Sequence, residues 1–422
     1  MNIEHIKHAI EQFPLDKFPG VKSIVVGDKI TNNIATNKKA VVFGVHTKIP
    51  ARDLPKDQLL PDMIQVDDEQ IVTDVVQDDT DWQFEAYCPA VTDSDRDEHR
   101  MYTRPLKGGV SIGIDTEQHK QRVGTLGVIV RDLTDNQLVG LTCSHVVAPD
   151  IFTTANRQIN TIYNYKDVQV LQPARGEGNS NTIYYDHVIG HVKRAWPIVT
   201  DTRNNYNMID AAICTIDSNV SIDANSGSMT GLLDEVTSAQ IPIVPFATTQ
   251  EIDSMTPNVP LFKSSRTTGA IGSTYHVDDV ESNNACSLRM YDGLAAGIRR
   301  VTGRYFFPTF AYHDPVGRYD PSEGGDSGSA ILAWIDNMWK IVGLHFAGGR
   351  ANGVDYGLGC RIDNIADLLQ IGDLTNYADS YSYGGTNPTY HIEEGYSGEM
   401  YMNINGKVYW QMGRVAEPVS TS

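Results

Sequence analysis

The sequence predicts a mainly β protein with a small α/β unit at its N-terminus and a β-hairpin near its C-terminus. From residue 108 onward, short apolar runs alternate with Gly, Asn, Asp and Pro, and long helical periodicity is absent. Many short strands separated by turn residues are typical of a β-sandwich or a β-barrel. The 422 residues, 41% of them hydrophobic, are enough for two or three packed domains.

The first hundred residues predict a unit of their own. Apolar residues at helical spacing predict an amphipathic helix over residues 2–13. Three apolar runs after it predict strands: Val21–Val26, Ala40–Val45 and Ile71–Val76. We therefore expect a small α/β unit and a linker over residues 1–104.

The central part of the chain predicts strands almost throughout. The apolar runs expected to form them are Gly127–Val130, Leu138–Leu141, Val168–Leu171, His187–Val192, Ala211–Ile216, Ile241–Val244, Ala330–Trp334 and Lys340–Phe346. One helix is expected after them, with Asp363 as its N-cap and Ile365, Ala366, Leu368 and Leu369 as its apolar residues.

The tail carries a hairpin signal. Segments Glu399–Ile404 and Lys407–Met412 flank Asn405-Gly406, a pair preferred in two-residue type I′ turns. Such a hairpin normally packs on its parent domain. Because exposed aromatic patches mark contacts between proteins, the Tyr-, Met- and Trp-rich tail over residues 373–422 can instead mediate a homo-oligomer or a particle assembly.

The charge balance argues against two classes of partner. With 34 basic and 53 acidic residues the net charge is −19, so neither nucleic acid nor an anionic membrane surface is an expected partner. No apolar run is long enough to span a bilayer, and no signal peptide precedes the first strands.

Five scattered cysteines, without CxxC spacing, form neither a disulfide framework nor a zinc site. These features favour a reducing location, either the cytoplasm or a virion if the chain is phage-encoded. We expect no metal and no other cofactor.

The strongest chemical motif is Gly324-Gly325-Asp326-Ser327-Gly328-Ser329-Ala330, which an apolar strand follows at once. Glycines permit the sharp turn that projects a serine hydroxyl. The backbone N–H groups of Gly325 and Ser327 are spaced to bind a developing oxyanion. The alternative is an ordinary Gly-rich turn, but the whole motif favours a nucleophile at Ser327.

A nucleophilic serine needs a base, and that base needs an acceptor that orients it. Among twelve histidines, His145 stands where an apolar strand gives way to a turn, in Thr142-Cys143-Ser144-His145. Asp210 directly precedes the apolar strand Ala211–Ile216, where a charged side chain must be paired or exposed to solvent. A buried structural histidine and a strand-end cap are the alternative interpretations of these two residues. Asp201 and Asp217 compete with Asp210, but polar neighbours solvate each of them more easily.

The order His145, Asp210, Ser327, in the contexts TCSHVV, IDAAIC and GGDSGSAI, resembles the trypsin-like (chymotrypsin-fold) serine proteases. The segments Arg104-Pro105, Gly108–Ser111, Gly124–Gly127 and Ser265–Gly269 resemble a bacterial and plant subgroup that includes the narrow-leaf protease of rice. The resemblance covers about residues 105–370 and is strongest at the three candidate residues.

The resemblance implies a double β-barrel with the active site in the cleft between the barrels. The first barrel would span residues 105–235, and the second, with its C-terminal helix, residues 236–372. It also implies hydrolysis of peptide bonds in a protein or peptide substrate through an acyl-enzyme. Substrate would pair with the strand Gly343–Gly348, so that His345, Phe346 and Ala347 line the cleft.

Three segments depart from the family's pattern. Cys143 has no nearby cysteine to form the disulfide of secreted members. The segment Tyr319–Glu323 places no clear aspartate at the floor of the specificity pocket, so a preference for Arg or Lys is not supported. Arg122-Val123-Gly124 faintly resembles a zymogen cleavage site, but a loop leading into the first barrel is the preferred interpretation.

The sequence is also compatible with two other functions. The first is a structural or interaction protein, for example a phage virion component, that carries a protease-fold domain. The second is a degenerate protease that only binds peptides. The sequence contains no HExxH motif or comparable ligand set, so metal-dependent hydrolysis is not supported.

Overall fold

The fold is described from a computed structural model of the chain. It describes residues 13–14, 17–18, 20–31, 34–45, 47–66, 69–77, 83–84, 99–115, 122–148, 152–153, 167–175, 177, 187–199, 209–222, 244–255, 259–277, 287–290, 305–314, 320–351, 354–375, 391–394, 400–404 and 407–410. The predicted helix over residues 2–13 lies outside these ranges, apart from Phe13.

The N-terminal part forms a small sheet. Its strands are β1 (Val21–Thr31), β2 (Ile34–Val45), β3 (Met63–Val66) and β4 (Glu69–Gln77). β1 and β3 lie antiparallel to their neighbours, whereas β2 and β4 pair in parallel. Two 3₁₀ turns, Ala51–Asp53 and Lys56–Gln58, connect β2 to β3. A two-residue strand, β5 (Gln83–Phe84), follows and pairs elsewhere.

The next part of the chain closes into a first barrel. Its strands are β6 (Val110–Ile114), β7 (Val123–Leu126), β8 (Val128–Asp132), β9 (Leu138–Thr142), β11 (Gln169–Leu171), β12 (Val188–Ala195) and β14 (Ala212–Thr215). Gly127 alone separates β7 from β8, so the two act as one bent strand. The pairings then run from β6 through β7–β8, β9, β14, β12 and β11 back to β6. The short strands β10 (Phe152–Thr153) and β13 (Ile198–Val199) pair with each other in parallel beside it.

A second barrel repeats this order. Its strands are β15 (Pro260–Ser265), β16 (Gly269–Val277), β18 (Tyr305–His313), β19 (Ala330–Ile335), β20 (Met338–Ala351) and β21 (Val354–Arg361). The pairings run from β15 through β16, β18, β21, β20 and β19 back to β15. In both barrels the six strands are therefore connected in the order 1-2-3-6-5-4, which confirms the predicted double β-barrel.

Short pairings join the parts of the molecule. β17 (Ser287–Met290) lies between β18 and β1 and so attaches the N-terminal sheet to the second barrel. β22 (Ile371–Gly372) crosses back to pair with β8 of the first barrel. One continuous hydrophobic cluster contains side chains of both barrels. The N-terminal sheet has a separate cluster around Ile24, Phe43 and Ile71.

The part of the chain that the structure describes contains three short helices: α1 (Ser144–Val147), α2 (Thr249–Asp253) and α3 (Ile362–Leu369). The predicted N-cap of α3 is wrong by two residues, because Arg361 occupies that position. Asp363 lies in the first turn instead, where Arg361 Nη2 donates to its carboxylate at 2.7 Å. A carboxylate in this turn also interacts favourably with the helix dipole.

The predicted strands are confirmed, but β1 extends five residues beyond Val26, β2 begins six residues before Ala40, and β20 extends five residues beyond Phe346. Of the predicted strand Ile241–Val244 only Val244 is described, and it lies outside any strand. In the tail, β23 (His391–Glu394), β24 (Met400–Ile404) and β25 (Lys407–Trp410) form an antiparallel sheet. Ile404 pairs with Lys407, so β24 and β25 have the predicted hairpin register. The predicted turn residues Asn405 and Gly406 lie outside the described residues. Among the described helices, none is long and apolar enough to cross a membrane.

Candidate active site

The topology of the first barrel brings His145 and Asp210 together although 65 residues separate them. β9 ends at Thr142, and His145 lies in the helix α1 that follows. One residue, Ala211, separates Asp210 from β14, and Ala212 of β14 pairs with Thr142 of β9. Because two adjacent antiparallel strands start and stop at the same edge, both side chains lie at one end of the barrel.

The two side chains form a buried pair. His145 Nδ1 bonds to Asp210 Oδ2, and the His145 backbone N–H donates to Asp210 Oδ1 at 3.1 Å. Neither side chain is exposed. The second barrel also contacts Asp210, because the Asp210 N–H donates to Cys360 Sγ at 3.4 Å. The contact with Nδ1 leaves Nε2 as the ring nitrogen available for proton transfer.

The Gly-rich motif forms a tight turn before β19. Gly325 and Gly328 have φ angles of 101° and 98°, a backbone region that residues with a Cβ rarely adopt. The Gly328 N–H donates to the His345 carbonyl at 2.8 Å, which ties the turn to β20. In this structure Ser327 Oγ donates to the Phe346 carbonyl at 3.0 Å. The Ser327 hydroxyl therefore points to the backbone of β20 in this structure.

The turn packs directly against the part of the first barrel that carries His145. The Thr125 N–H of β7 donates to the Ser327 carbonyl at 2.8 Å. A methyl group at Gly328 would lie 2.3 Å from Thr142 Oγ1, three residues before His145. The structure thus brings all three predicted residues to one junction between the barrels.

Asp326, beside Ser327, is held by a set of donors from the second barrel. Lys263 Nζ donates to Asp326 Oδ2 at 2.8 Å and to the Pro321 carbonyl at 2.6 Å. The backbone N–H groups of Thr267 and Thr268 donate to Oδ1 at 2.9 and 3.0 Å. Neither charged side chain of the Lys263–Asp326 pair is exposed.

The Lys263–Asp326 ion pair bears on whether Arg122-Val123 is a zymogen cleavage site. Burial raises the pKa of Asp326, but the Lys263 charge and several hydrogen bonds outweigh it and hold that pKa well below its usual range. The carboxylate is therefore ionised and already paired. Val123, whose freed amine a zymogen cut would supply, is the first residue of β7 and 97% buried, with 3% of its surface exposed. This agrees with the interpretation of Arg122-Val123 as a segment leading into the barrel.

The predicted cleft residues lie on β20 beside the turn. His345, Phe346 and Ala347 are all buried. His345 Nδ1 shares a 2.8 Å hydrogen bond with the Tyr312 hydroxyl. Burial, with the nearby Lys263 charge, lowers the pKa of His345 well below its usual value, so this imidazole is neutral at pH 7. The Phe346 carbonyl accepts from Ser327 Oγ, and Ala347 pairs with Phe84 of β5.

Cys143, His145 and Asp210 bring their potential metal-ligand atoms within 4.8 Å of one another. Burial and the Asp210 charge raise the pKa of the Cys143 thiol well above its usual value. A protonated thiol is a poor ligand, and His145 Nδ1 is already bonded to Asp210. The group fits a hydrogen-bonded pair better than a metal centre.

Lys263 was missed in the sequence, although a signal for it exists. It is the only charged residue in the run Pro260–Ser265, and a lysine inside a buried strand needs a buried anion. Tyr312 gave no such signal, because a tyrosine in an apolar strand is an ordinary core residue.

The comparisons with known proteins bear on the fold alone. No protein-family model matches the chain, and no curated protein matches it. Similar solved structures are Protease A of Thermobifida fusca, a chymotrypsin of Cellulomonas bogoriensis and a Nocardiopsis protease. Each is 12% identical to this chain, covers 64% of it with 97 or 98% of its own length, and has a TM-score of 0.31 or 0.32.

The double β-barrel therefore rests on the strand pairing described above rather than on this likeness. Two closed six-stranded barrels with one shared strand order define a double β-barrel of the chymotrypsin fold. This fold alone does not establish an activity, which depends on the residues of the site.

Proposed function

We propose that the chain is a serine endopeptidase with Ser327 as nucleophile, His145 as general base and Asp210 as the carboxylate that orients the base. The observation that carries the proposal is the buried Asp210–His145 pair at the junction where the Ser327 turn packs. A buried aspartate on Nδ1 fixes the imidazole tautomer and stabilises the imidazolium that forms during catalysis.

The reaction would begin when substrate binding turns the Ser327 hydroxyl from the Phe346 carbonyl towards His145 Nε2. Ser327 Oγ then attacks the peptide carbonyl carbon while Nε2 takes the hydroxyl proton. The N–H groups of Gly325 and Ser327 would hold the oxyanion. His145 returns the proton to the leaving amine, and water releases the acyl group through the same base.

The test is proteolysis of unfolded casein by the full chain and its variants. We expect cleavage by the wild type, and a loss of roughly three orders of magnitude or more in Ser327→Ala and in His145→Ala. Asp210→Asn should lose about 10⁴-fold, because the amide favours the wrong tautomer. The double variant Ser327→Ala/His145→Ala should be no worse than either single variant.

A matched control is His191→Ala, since His191 lies on β12 and is half-buried away from the junction. This variant should retain full activity. Wild-type protein that leaves casein intact would favour a protease-fold domain that binds peptides or serves a structural role. Equal cleavage by Ser327→Ala would contradict the assignment of the nucleophile.

A further inference from the structure

The turn that carries the proposed oxyanion donors is anchored through its carbonyl oxygens. Thr267 Oγ1 donates to the Gly324 oxygen at 2.7 Å, and Thr125 Oγ1 donates to the Gly325 oxygen at 2.9 Å. A trans peptide directs its N–H opposite to its C=O. The bond to the Gly324 oxygen therefore points the Gly325 N–H away from Thr267.

Arg266 contacts both of these hydroxyls. Its backbone N–H donates to Thr125 Oγ1 at 3.0 Å, and its Nη1 donates to Thr267 Oγ1 at 3.0 Å. Because Thr267 Oγ1 accepts from the guanidinium, its own proton is directed to the Gly324 oxygen. Arg266 is also close to the turn, since a methyl group at Gly325 would lie 2.9 Å from Arg266 Cδ.

Glu177, from the first barrel, fixes the guanidinium. Arg266 Nε donates to Glu177 Oε1 at 2.5 Å and Nη2 donates to Oε2 at 2.8 Å, a bidentate arrangement. Arg100 and Ser111 add further hydrogen bonds to the same carboxylate. Burial raises the pKa of Glu177, but the bonds and charge of Arg266 outweigh it, so the carboxylate is ionised at neutral pH.

We propose that Arg266 and Thr267 are positioning residues that aim the Gly325 N–H at the oxyanion, and that Glu177 holds Arg266 in place across the barrel junction. The inference rests on the proposed function. Without the anchor, the Gly324–Gly325 peptide can rotate and present a carbonyl oxygen where a donor is needed. The three side chains thus couple the first barrel to the geometry of the catalytic turn.

The test compares Thr267→Val, which removes the hydroxyl at nearly constant shape, with Thr267→Ser, which keeps it. Reaction with a fluorophosphonate probe forms a charged transition state at the same oxyanion position. We expect the maximal rate of phosphonylation to fall about 10- to 100-fold in Thr267→Val, with little change in probe affinity. Thr267→Ser should restore the rate, and Arg266→Met should behave like Thr267→Val without an additive loss in the double variant. Arg52→Met and Thr47→Val, at exposed positions, are the controls.

Crystal structures of Ser327→Ala with and without Thr267→Val add a readout that needs no activity. We expect the Gly324–Gly325 peptide to be rotated or doubly oriented only in the Thr267→Val protein. If Ser327 reacts equally fast in the wild type and in Thr267→Val, and the peptide is unchanged between the two crystal structures, the positioning role is wrong and the proposed function stands. If wild-type Ser327 does not react, the proposed function fails, and the two crystal structures still decide the orientation of the peptide.

A second and independent observation concerns β5. β20 pairs with β19 up to Leu344 and with β21 along its other side. Beyond Leu344 the first side is taken by β5, with Phe84 opposite Ala347 and Gln83 opposite Gly348, antiparallel. These positions directly follow Phe346, whose carbonyl contacts Ser327.

We also propose that the Gln83–Phe84 segment occupies the strand edge with which substrate backbone would pair, and so competes with substrate. This too rests on the proposed function. An added strand is bound chiefly by main-chain hydrogen bonds. Proline in place of both residues removes the two N–H donors of β5, whereas alanine keeps them.

The experiment therefore compares Gln83→Pro/Phe84→Pro with Gln83→Ala/Phe84→Ala. In the Ser327→Ala background, hydrogen exchange over Ala347–Gly348 should be at least several-fold faster in the proline variant. With Ser327 intact, the proline variant should show a several-fold lower KM for casein. Equal exchange in the two variants would show that β5 does not cover this edge, whatever the activity. Faster exchange with an unchanged KM would show that β5 covers this edge but does not compete with substrate.

Discussion

Asp326 and Lys263 form an ion pair directly beside the proposed nucleophile, and both side chains are fully buried. Removing one partner of such a pair leaves a buried charge without compensation. We expect Lys263→Met to lower the free energy of unfolding by about 3–5 kcal/mol, measured by urea denaturation. Lys48→Met, at an exposed position, should leave it unchanged.

The second substitution in this test removes the orphaned charge. Lys263→Met/Asp326→Asn should regain part of the lost stability, because the amide is neutral. A Lys263→Met protein as stable as the wild type would contradict the role of the pair.

Burial of His345 should make the stability of the protein depend on pH. Its pKa is lowered in the folded protein, mainly by burial, so below about pH 6.5 the unfolded chain binds a proton that the folded chain does not. Stability from this group is complete above the unfolded pKa and is lost as pH falls towards the folded pKa, by up to about 1.4 kcal/mol per pH unit. Urea unfolding of His345→Gln between pH 7 and pH 5 should show a shallower slope than the wild type. Identical slopes would contradict the neutral, buried state of this imidazole.

At the scale of elements, seven of the thirteen described barrel strands were predicted, because each of them contains a short apolar run bounded by turn residues. The strands β6, β7, β15, β16, β18 and β21 were missed, because Gly, Pro, polar or charged residues interrupt their apolar pattern. The predicted N-cap of α3 failed because Arg361 binds the carboxylate of Asp363 and the helix begins earlier. β5 could not be predicted at all, since a two-residue strand is defined by its partner and not by its own pattern.

The turn before β19 has a backbone that only glycine adopts easily. At Gly328, with φ of 98°, a methyl group would lie 2.3 Å from the Thr125 carbonyl oxygen and 2.3 Å from Thr142 Oγ1. We expect Gly328→Ala to lower the melting temperature and the free energy of unfolding, the latter by at least about 1–3 kcal/mol. Gly20→Ala is the matched control, because a methyl group there meets nothing within 4 Å. Equal melting temperatures for the two variants would refute the close approach of the turn to the first barrel.

At the scale of the whole molecule, the candidate site exists only where the two barrels meet. The motifs around His145, Asp210 and Ser327, with the family resemblance, predicted that these three residues meet between the barrels, and their catalytic roles stay a proposal. The motifs could not predict that Glu177 and Thr125 of the first barrel also hold the turn of the second, because such partners depend on how the barrels pack. Assembly through the tail stays a prediction.

The proposed mechanism requires Ser327 to be a nucleophile that His145 activates. The most direct measurement is mass spectrometry of the full chain after reaction with a fluorophosphonate probe. We expect one adduct, located on Ser327, that is absent from Ser327→Ala and forms far more slowly in His145→Ala. An unmodified wild-type chain, or an adduct of equal yield in the Ser327→Ala protein, would contradict it.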